Sequence, residues 1–171
     1  MSLKINDTVI ELVDKTKYLG MYIDKDLSFN AHVDHIAAKL NQRFFLIKRL
    51  NNMIKNKKMV TLVFEAYVQS IILYGSNAFI SCLTEGLKRK VFRVFKQSEK
   101  MKLKSRNEVM STLEKKRMAF LKKIVENCHH PLNNKIKFLR SGRRLAAIFC
   151  RTVLYQRTFV PNAINCFNSL L

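Results

Sequence analysis

Up to Ile23, apolar and polar positions alternate and β-branched residues are frequent: Leu3, Ile5, then Val9, Ile10, Leu12 and Val13, then Tyr18, Leu19, Met21, Tyr22 and Ile23. A period of two is what a half-buried strand requires, so two or three short strands are expected here. Asn6-Asp7 is the expected hairpin turn, since both residues tolerate bridging or positive backbone angles, and Asp14-Lys15 separates the next segment. Gly20, inside the last segment, reads as a bulge or a close backbone approach. So small a sheet is marginal in water unless a helix covers one face.

From Ser28 the period changes to 3.6. Ser28 is placed to cap a helix with Val33, Ile36, Leu40, Phe44 and Ile47 as its apolar stripe, running to about Leu50. After the basic turn 51–58, the residues Met59, Leu62, Val63, Ala66, Tyr67, Ser70, Ile71 and Tyr74 recur at i, i+3, i+4, i+7, which predicts a second helix with that stripe inward and Gly75 ending or kinking it. Thr84 offers the cap of a third, with Leu87, Val91, Val94 or Phe95, and Ser98 facing inward. Short links between three such helices suggest an antiparallel bundle. Beyond Met101, Ser111 and Glu114 have capping-box spacing, and Leu113, Leu121, Ile124 and Cys128 form a stripe that stops before Pro131. Gly142 interrupts the basic run 135–144, an apolar segment runs from Leu145 to Leu154, and Pro161 suits the first position of a last helix bearing Ile164, Phe167 and Leu171. The fold class is therefore α+β and mainly α: a strand hairpin over residues 1–27, a helical bundle over 28–100 that it packs on, and a basic helical extension over 101–171.

Charge changes the picture most. The chain of 171 residues is 48% hydrophobic, enough for a real core, yet its 32 Lys and Arg against 12 Asp and Glu give +20. A compact fold tolerates that self-repulsion only if the cations face outward or meet a polyanion, so acidic partners are expected. The excess is uneven: residues 1–27 hold four Lys and five acids, whereas Lys88 to Arg144 holds 19 basic residues and four acids. No apolar run approaches the roughly 20 residues of a spanning helix, and the N-terminus lacks a signal-peptide layout. An intracellular protein, nuclear or cytoplasmic and neither secreted nor in the membrane, is the expectation.

Cys82, Cys128, Cys150 and Cys166 are far apart and read as reduced, mostly buried thiols. Cys128-His129-His130 lacks a second ligand pair at zinc spacing, and His32 and His35 form only an i, i+3 pair, so no metal or other cofactor is expected.

Lys17-Tyr18-Leu19-Gly20-Met21-Tyr22-Ile23-Asp24, followed by Leu27-Ser28-Phe29 and His32, resembles the segment that follows the catalytic motif in reverse transcriptases of LINE-type, jockey-like non-LTR retrotransposons. The resemblance continues through Ala37-Ala38-Lys39-Leu40 and Ser70-Ile71-Ile72-Leu73-Tyr74-Gly75, similar to the family's thumb, and is weaker over Arg157-Thr158-Phe159-Val160-Pro161 and Phe167-Asn168-Ser169-Leu170, where a tryptophan usually stands in place of Phe167. It implies that Tyr18, Leu19 and Gly20 match the primer grip at the palm edge and that the helices match the thumb that holds template and primer. The paired aspartates that hold two magnesium ions in such enzymes would lie upstream; no Asp-Asp occurs in this sequence, and Asp24 and Asp26 read as turn and capping residues. No Ser/His/Asp grouping or glycine-rich phosphate loop takes their place, so no catalytic residue and no polymerase activity is expected.

A thumb grips a duplex through its phosphates, which needs Lys and Arg on helix faces and carries no base code. Lys88, Arg89, Lys90, Arg93 and Lys96 fit that pattern, Lys115, Lys116, Arg117, Lys122 and Lys123 form a second candidate face, and Arg143 and Arg144 a third. Phe44, Phe64, Phe92 and Tyr155 could stack on bases, although at helical spacing aromatics more often belong to the core. The expected function is sequence-tolerant binding of RNA, DNA or hybrid duplex, with the upstream palm portion of a polymerase as a further partner. A protein-interaction module derived from such a fragment, and a remnant with no selected function, are the alternatives.

Overall fold

The computed structural model describes residues 3–5 and 8–170. The chain is mainly helical, with antiparallel strands at its start. Strands β1 (Leu3–Ile5) and β2 (Thr8–Ile10) pair with Ile5 opposite Thr8; the Asn6-Asp7 turn expected between them lies outside the described residues. Strands β3 (Lys15–Tyr18) and β4 (Met21–Asp24) form a second, separate two-stranded sheet with Tyr18 opposite Met21. Gly20 is thus not a bulge but the second residue of a two-residue turn, at φ 81° after Leu19 at φ 46°. Two successive positive φ values match the twist of the flanking strands, but leucine has to be held there against its steric preference. The Tyr74 hydroxyl does so, donating to the Leu19 carbonyl at 2.5 Å, while the Tyr74 ring packs over Gly20.

The helices are α1 (Asn30–Met53), α2 (Lys57–Phe64) continued through a π-helical turn at Glu65–Gln69 into α3 (Ser70–Leu73), α4 (Ser76–Phe79), α5 (Glu85–Lys100), α6 (Arg106–Glu126), α7 (Val153–Arg157) and α8 (Phe159–Asn168). Ser28 is not the cap residue of α1, although its hydroxyl accepts from the Asn30 amide at 3.3 Å. The cap position is Phe29 in the left-handed region, and Ser28 is instead held by Asp24, whose carboxylate accepts from the Ser28 amide at 2.6 Å and hydroxyl at 2.8 Å. Asp24 is therefore a turn residue, as expected. Gly75 ends the second helical run at φ 60°, a left-handed backbone that favours glycine, and a Cβ there would displace the Met21 sulfur packed against it.

The second helix is where expected, with a neighbouring face inward; of the expected stripe Ile71 packs against the core. Met59, Leu62, Val63, Tyr67 and Tyr74 are exposed, whereas Val60, Phe64, Val68 and Ile72 are fully buried. Positions spaced by four drift about 40° per step on a straight α-helix, about 120° from Val60 to Ile72. The wider π-turn at Glu65–Gln69 takes up most of this drift, and a 3.6-residue template therefore selects the outward stripe. In the third helix, Thr84 accepts from the Leu87 amide, and Val91, Val94, Phe95 and Ser98 are buried as expected. The fourth helix begins six residues earlier than Ser111 suggests: Ser105 and Glu108 form the capping box, and the hydrogen bond to the Ser105 amide holds the Glu108 carboxyl below its ordinary range. Pro161 is the third residue of the last helix rather than the first, equally tolerant because the opening amides of a helix have no partner in it. Of the cysteines only Cys82 is buried; Cys128 is exposed, which removes it from the α6 stripe. Leu171 lies outside the described residues.

Two apolar clusters result. One runs from Phe29 to Leu113 and centres on α1, α2 and α5; the other joins Leu121, Ile124, Ile136, Leu145, Ala163 and Ile164. Helix α6 contributes to both. Asn168 fixes α8 by accepting from the Leu145 amide and donating to its carbonyl, both at 2.9 Å.

Replacing Phe64 by Ala should cost about 3–5 kcal/mol, whereas Leu62→Gln, one helical position of the outward stripe, should stay within about 0.5 kcal/mol of the parent. Urea unfolding of the two variants checks the facing of the helix; comparable losses would restore the periodic stripe to the core.

Candidate nucleic-acid interface

Helix α5 buries Val91, Phe92, Val94 and Phe95, which leaves Arg89, Arg93 and Lys96 at i, i+4 and i+7 on its solvent side. The start of α6 faces them across a groove of about 540 Å³ lined by Arg89, Phe92, Arg93, Lys96, Glu99 and Arg106. Ser98 sets this turn: its hydroxyl meets the Phe95 and Lys104 carbonyls, while the Arg106 amide donates to Glu99 at 2.8 Å. The Arg106 guanidinium lies 5.4 Å from the centroid of Phe92, so an almost fully buried aromatic ring forms part of the groove beneath a cation. Four cations and one carboxylate share this concave surface. Arg106 was not among the residues expected from sequence, because its distance from α5 along the chain hides a proximity that only the α5–α6 turn creates.

The other expected cations divide. Lys88 is tied to Glu85 at 2.8 Å, a bond that holds the Glu85 carboxyl below its ordinary range, and Lys90 bridges to Asp34 on α1 at 2.5 Å. Lys116 donates to the Leu73 carbonyl at 2.6 Å and Arg117 to Asn162 at 2.7 Å, which turns both into links between helices. Lys122 is near Glu126 at 3.7 Å, whereas Lys115 and Lys123 are exposed. Consecutive residues on a helix are about 100° apart, so Lys115, Lys116 and Arg117 cannot share a face. Arg143 and Arg144 are exposed on a loop closed by the Leu139 amide on the Arg144 carbonyl and by the Phe138–Leu145 bridge, with Gly142 at φ 68°. Phe44, Phe64 and Phe92 are core residues, leaving only Tyr155 of the four aromatics exposed.

Tyr18 and Leu19 are exposed at the tip of the β3–β4 hairpin beside Gly20. Behind them β4 leans on α1: the Tyr22 amide donates to His32 Nδ1 at 3.4 Å, and Tyr22 meets His35 edge-on at 5.2 Å. With Nδ1 accepting, the proton of the neutral His32 ring belongs on Nε2, which is buried and has no partner among the described residues. An unpaired buried donor costs about 1–3 kcal/mol. Among the described residues no three His, Cys, Asp or Glu side chains gather as a metal site, and no helix is long and apolar enough to cross a membrane.

Comparison with family models, curated proteins and solved structures finds no match.

Burial lowers the pKa of His32, with the neighbouring His35 and Lys39 acting in the same direction, and His35 is lowered by burial, Lys39 and Lys17. Protonation therefore favours the unfolded chain, where histidine titrates near 6.5. Stability should be full above about pH 6.5 and decline as pH falls below it. His32→Asn should flatten the slope of unfolding free energy between about pH 5 and 7, with the His35 contribution left; an unchanged slope would place the titrating group elsewhere.

Proposed function

We propose that this chain binds RNA, DNA or hybrid duplex without sequence preference, as the palm-edge, thumb and C-terminal part of a reverse transcriptase of the non-LTR retrotransposon kind. The observation that carries the reading is the α5–α6 groove, where Arg89, Arg93, Lys96 and Arg106 converge with a single acid. A concave strip of cations matches a run of phosphates, and displacement of their counterions supplies affinity regardless of base sequence. The sequence likeness to thumb and primer-grip segments adds to it, with the upstream palm portion as the partner that would carry catalytic aspartates. With no Asp-Asp pair of its own, the chain should show no primer extension above a heat-killed control on an RNA template.

A second reading, a protein-interaction module derived from the same fragment, is favoured by the outward stripe Met59, Leu62, Val63 and Tyr67, together with exposed Phe45, Leu46 and Met53 on α1. Salt dependence separates the two. If about five to eight phosphates are neutralised, the log–log slope of DNA affinity against salt should be about −4 to −7. Changing Arg89, Arg93, Lys96 and Arg106 together to Gln should flatten it by up to about four, with the fold intact because none of the four is buried. A parental slope near zero favours the protein partner. An unchanged slope in the variant moves the interface to Lys115 and Lys123 or to the Arg143-Arg144 loop.

A further inference from the structure

A second cation cluster stands apart from the α5–α6 groove. Between the β3–β4 turn, α1 and α3 lies a cleft of about 340 Å³ whose polar lining is His32, His35, Lys39, Arg43, Ser70 and Tyr74, with no carboxylate among its lining residues. Lys39 and Arg43 are one turn apart on α1, and neither makes an ion pair among the described residues. Arg43 is already fixed in place: its Nη1 donates to the Tyr67 carbonyl at 2.8 Å and its guanidinium stacks 4.4 Å from the Tyr67 centroid. Four further N–H donors of the guanidinium remain. Tyr74 braces the opposite wall through Leu19, and His32, only 2% exposed, has a buried Nε2 with no hydrogen-bond partner among the described residues.

The geometry points to a binding site for a terminal phosphate group, a phosphate monoester held by Lys39 and Arg43 with the Ser70 hydroxyl beside them. The charge count selects the monoester. A terminal phosphate carries about −1.5 to −2 near neutral pH, which two unpaired cations balance, whereas an internal phosphodiester carries a single charge and lies on an open strand rather than in a cleft walled on three sides. Arginine held by one N–H and by stacking keeps its fork available for two oxygens of one anion, with little ordering left to do on binding. The site is independent of the α5–α6 groove. Only its occupation by the end of a strand, as opposed to free phosphate, rests on the nucleic-acid reading.

Histidine-ring NMR at constant chloride decides it. Inorganic phosphate should shift the His35 and His32 ring signals saturably and raise the pKa of His35, since a bound dianion favours its protonated form. A short single strand with a 5′-phosphate should produce the same shifts at a concentration about tenfold or more below that of its 5′-hydroxyl counterpart. The double substitution Lys39→Gln and Arg43→Gln should remove both effects, and Lys39→Gln alone, on an exposed side chain, should weaken them should the double variant fail to fold. The α5–α6 quadruple variant should retain the phosphate shifts while losing its salt slope, which separates failure of this site from failure of the groove. Linear, non-saturating shifts, equal effects of the phosphorylated and hydroxyl strands, or shifts that survive loss of Lys39 and Arg43 would each overturn the assignment. Shifts with inorganic phosphate but not with either strand would support the site with free phosphate as its occupant.

Discussion

The edge-to-face contacts among Phe44, Phe64 and Phe95 are the constraint on which the rest of the first cluster depends. Phe64 meets Phe44 at 6.2 Å and Phe95 at 5.7 Å between centroids, both near perpendicular, so one side chain joins α1, α2 and α5. Edge-to-face pairs add directional preference to the burial of large rings, and three helices meeting on one ring have little freedom to rotate about their axes. That rotation decides which residues of α5 face solvent. With Val91, Val94 and Phe95 committed inward, Arg89, Arg93 and Lys96 have nowhere to go but outward, and the cation strip is a consequence of the core.

The same constraint makes the net charge of +20 tolerable. The described residues hold five ion pairs, and most of them join elements that the core already places side by side: Lys90 with Asp34 across α5 and α1, Lys104 with Glu65 at the π-turn, Lys25 with Asp14 across the β3–β4 hairpin. Exposed pairs of this kind add little to stability individually. Their effect lies in which cations they remove. Lys88 and Lys90 are neutralised while Arg89 and Arg93, between and beyond them, are left free, so on α5 the acids leave the unpaired charge on the side that faces the groove.

What could be read from sequence divides along physical lines. The third helix was largely legible, since its cap at Thr84 and most of its inward residues depend on local chemistry and a regular 3.6 period; Phe92 joins them in the core. The second was legible as a helix and not as a facing: the π-turn at Glu65–Gln69 breaks the periodicity on which any facing argument rests, and nothing local in Glu65-Ala66-Tyr67-Val68-Gln69 announces it. The capping box was read at Ser111 with Glu114 and lies at Ser105 with Glu108, where the α5–α6 turn closes on Ser98. Candidate binding residues were legible as charge and illegible as availability. Lys116 and Arg117 stand in the same run as Lys115, yet one reaches a carbonyl of Leu73 and the other Asn162 of α8, contacts between residues more than 40 positions apart that no pattern along the chain encodes. Arg106, Lys39 and Arg43 went unnoticed for the converse reason: each is an ordinary surface cation until another element comes to face it.

Helix α6 couples these features. Its first half closes the groove with Arg106 and buries Val109 and Leu113 in the first cluster; its second half buries Leu121 and Ile124 in the second, where Asn168 secures α8 to Leu145. Between the halves, Lys116 is spent on the last turn of α3. One helix therefore joins the groove to both clusters, while the β3–β4 hairpin is tied to the first cluster through Tyr74 and Met21 and through Tyr22 on His32 and His35. Gly75 is the point at which these paths meet, because it ends α3, admits Met21 and begins α4. A side chain at that position would need both a left-handed backbone and the space of the Met21 sulfur, so the cost would fall on the hairpin rather than on the groove, and the two cation clusters can be altered separately although they share a scaffold.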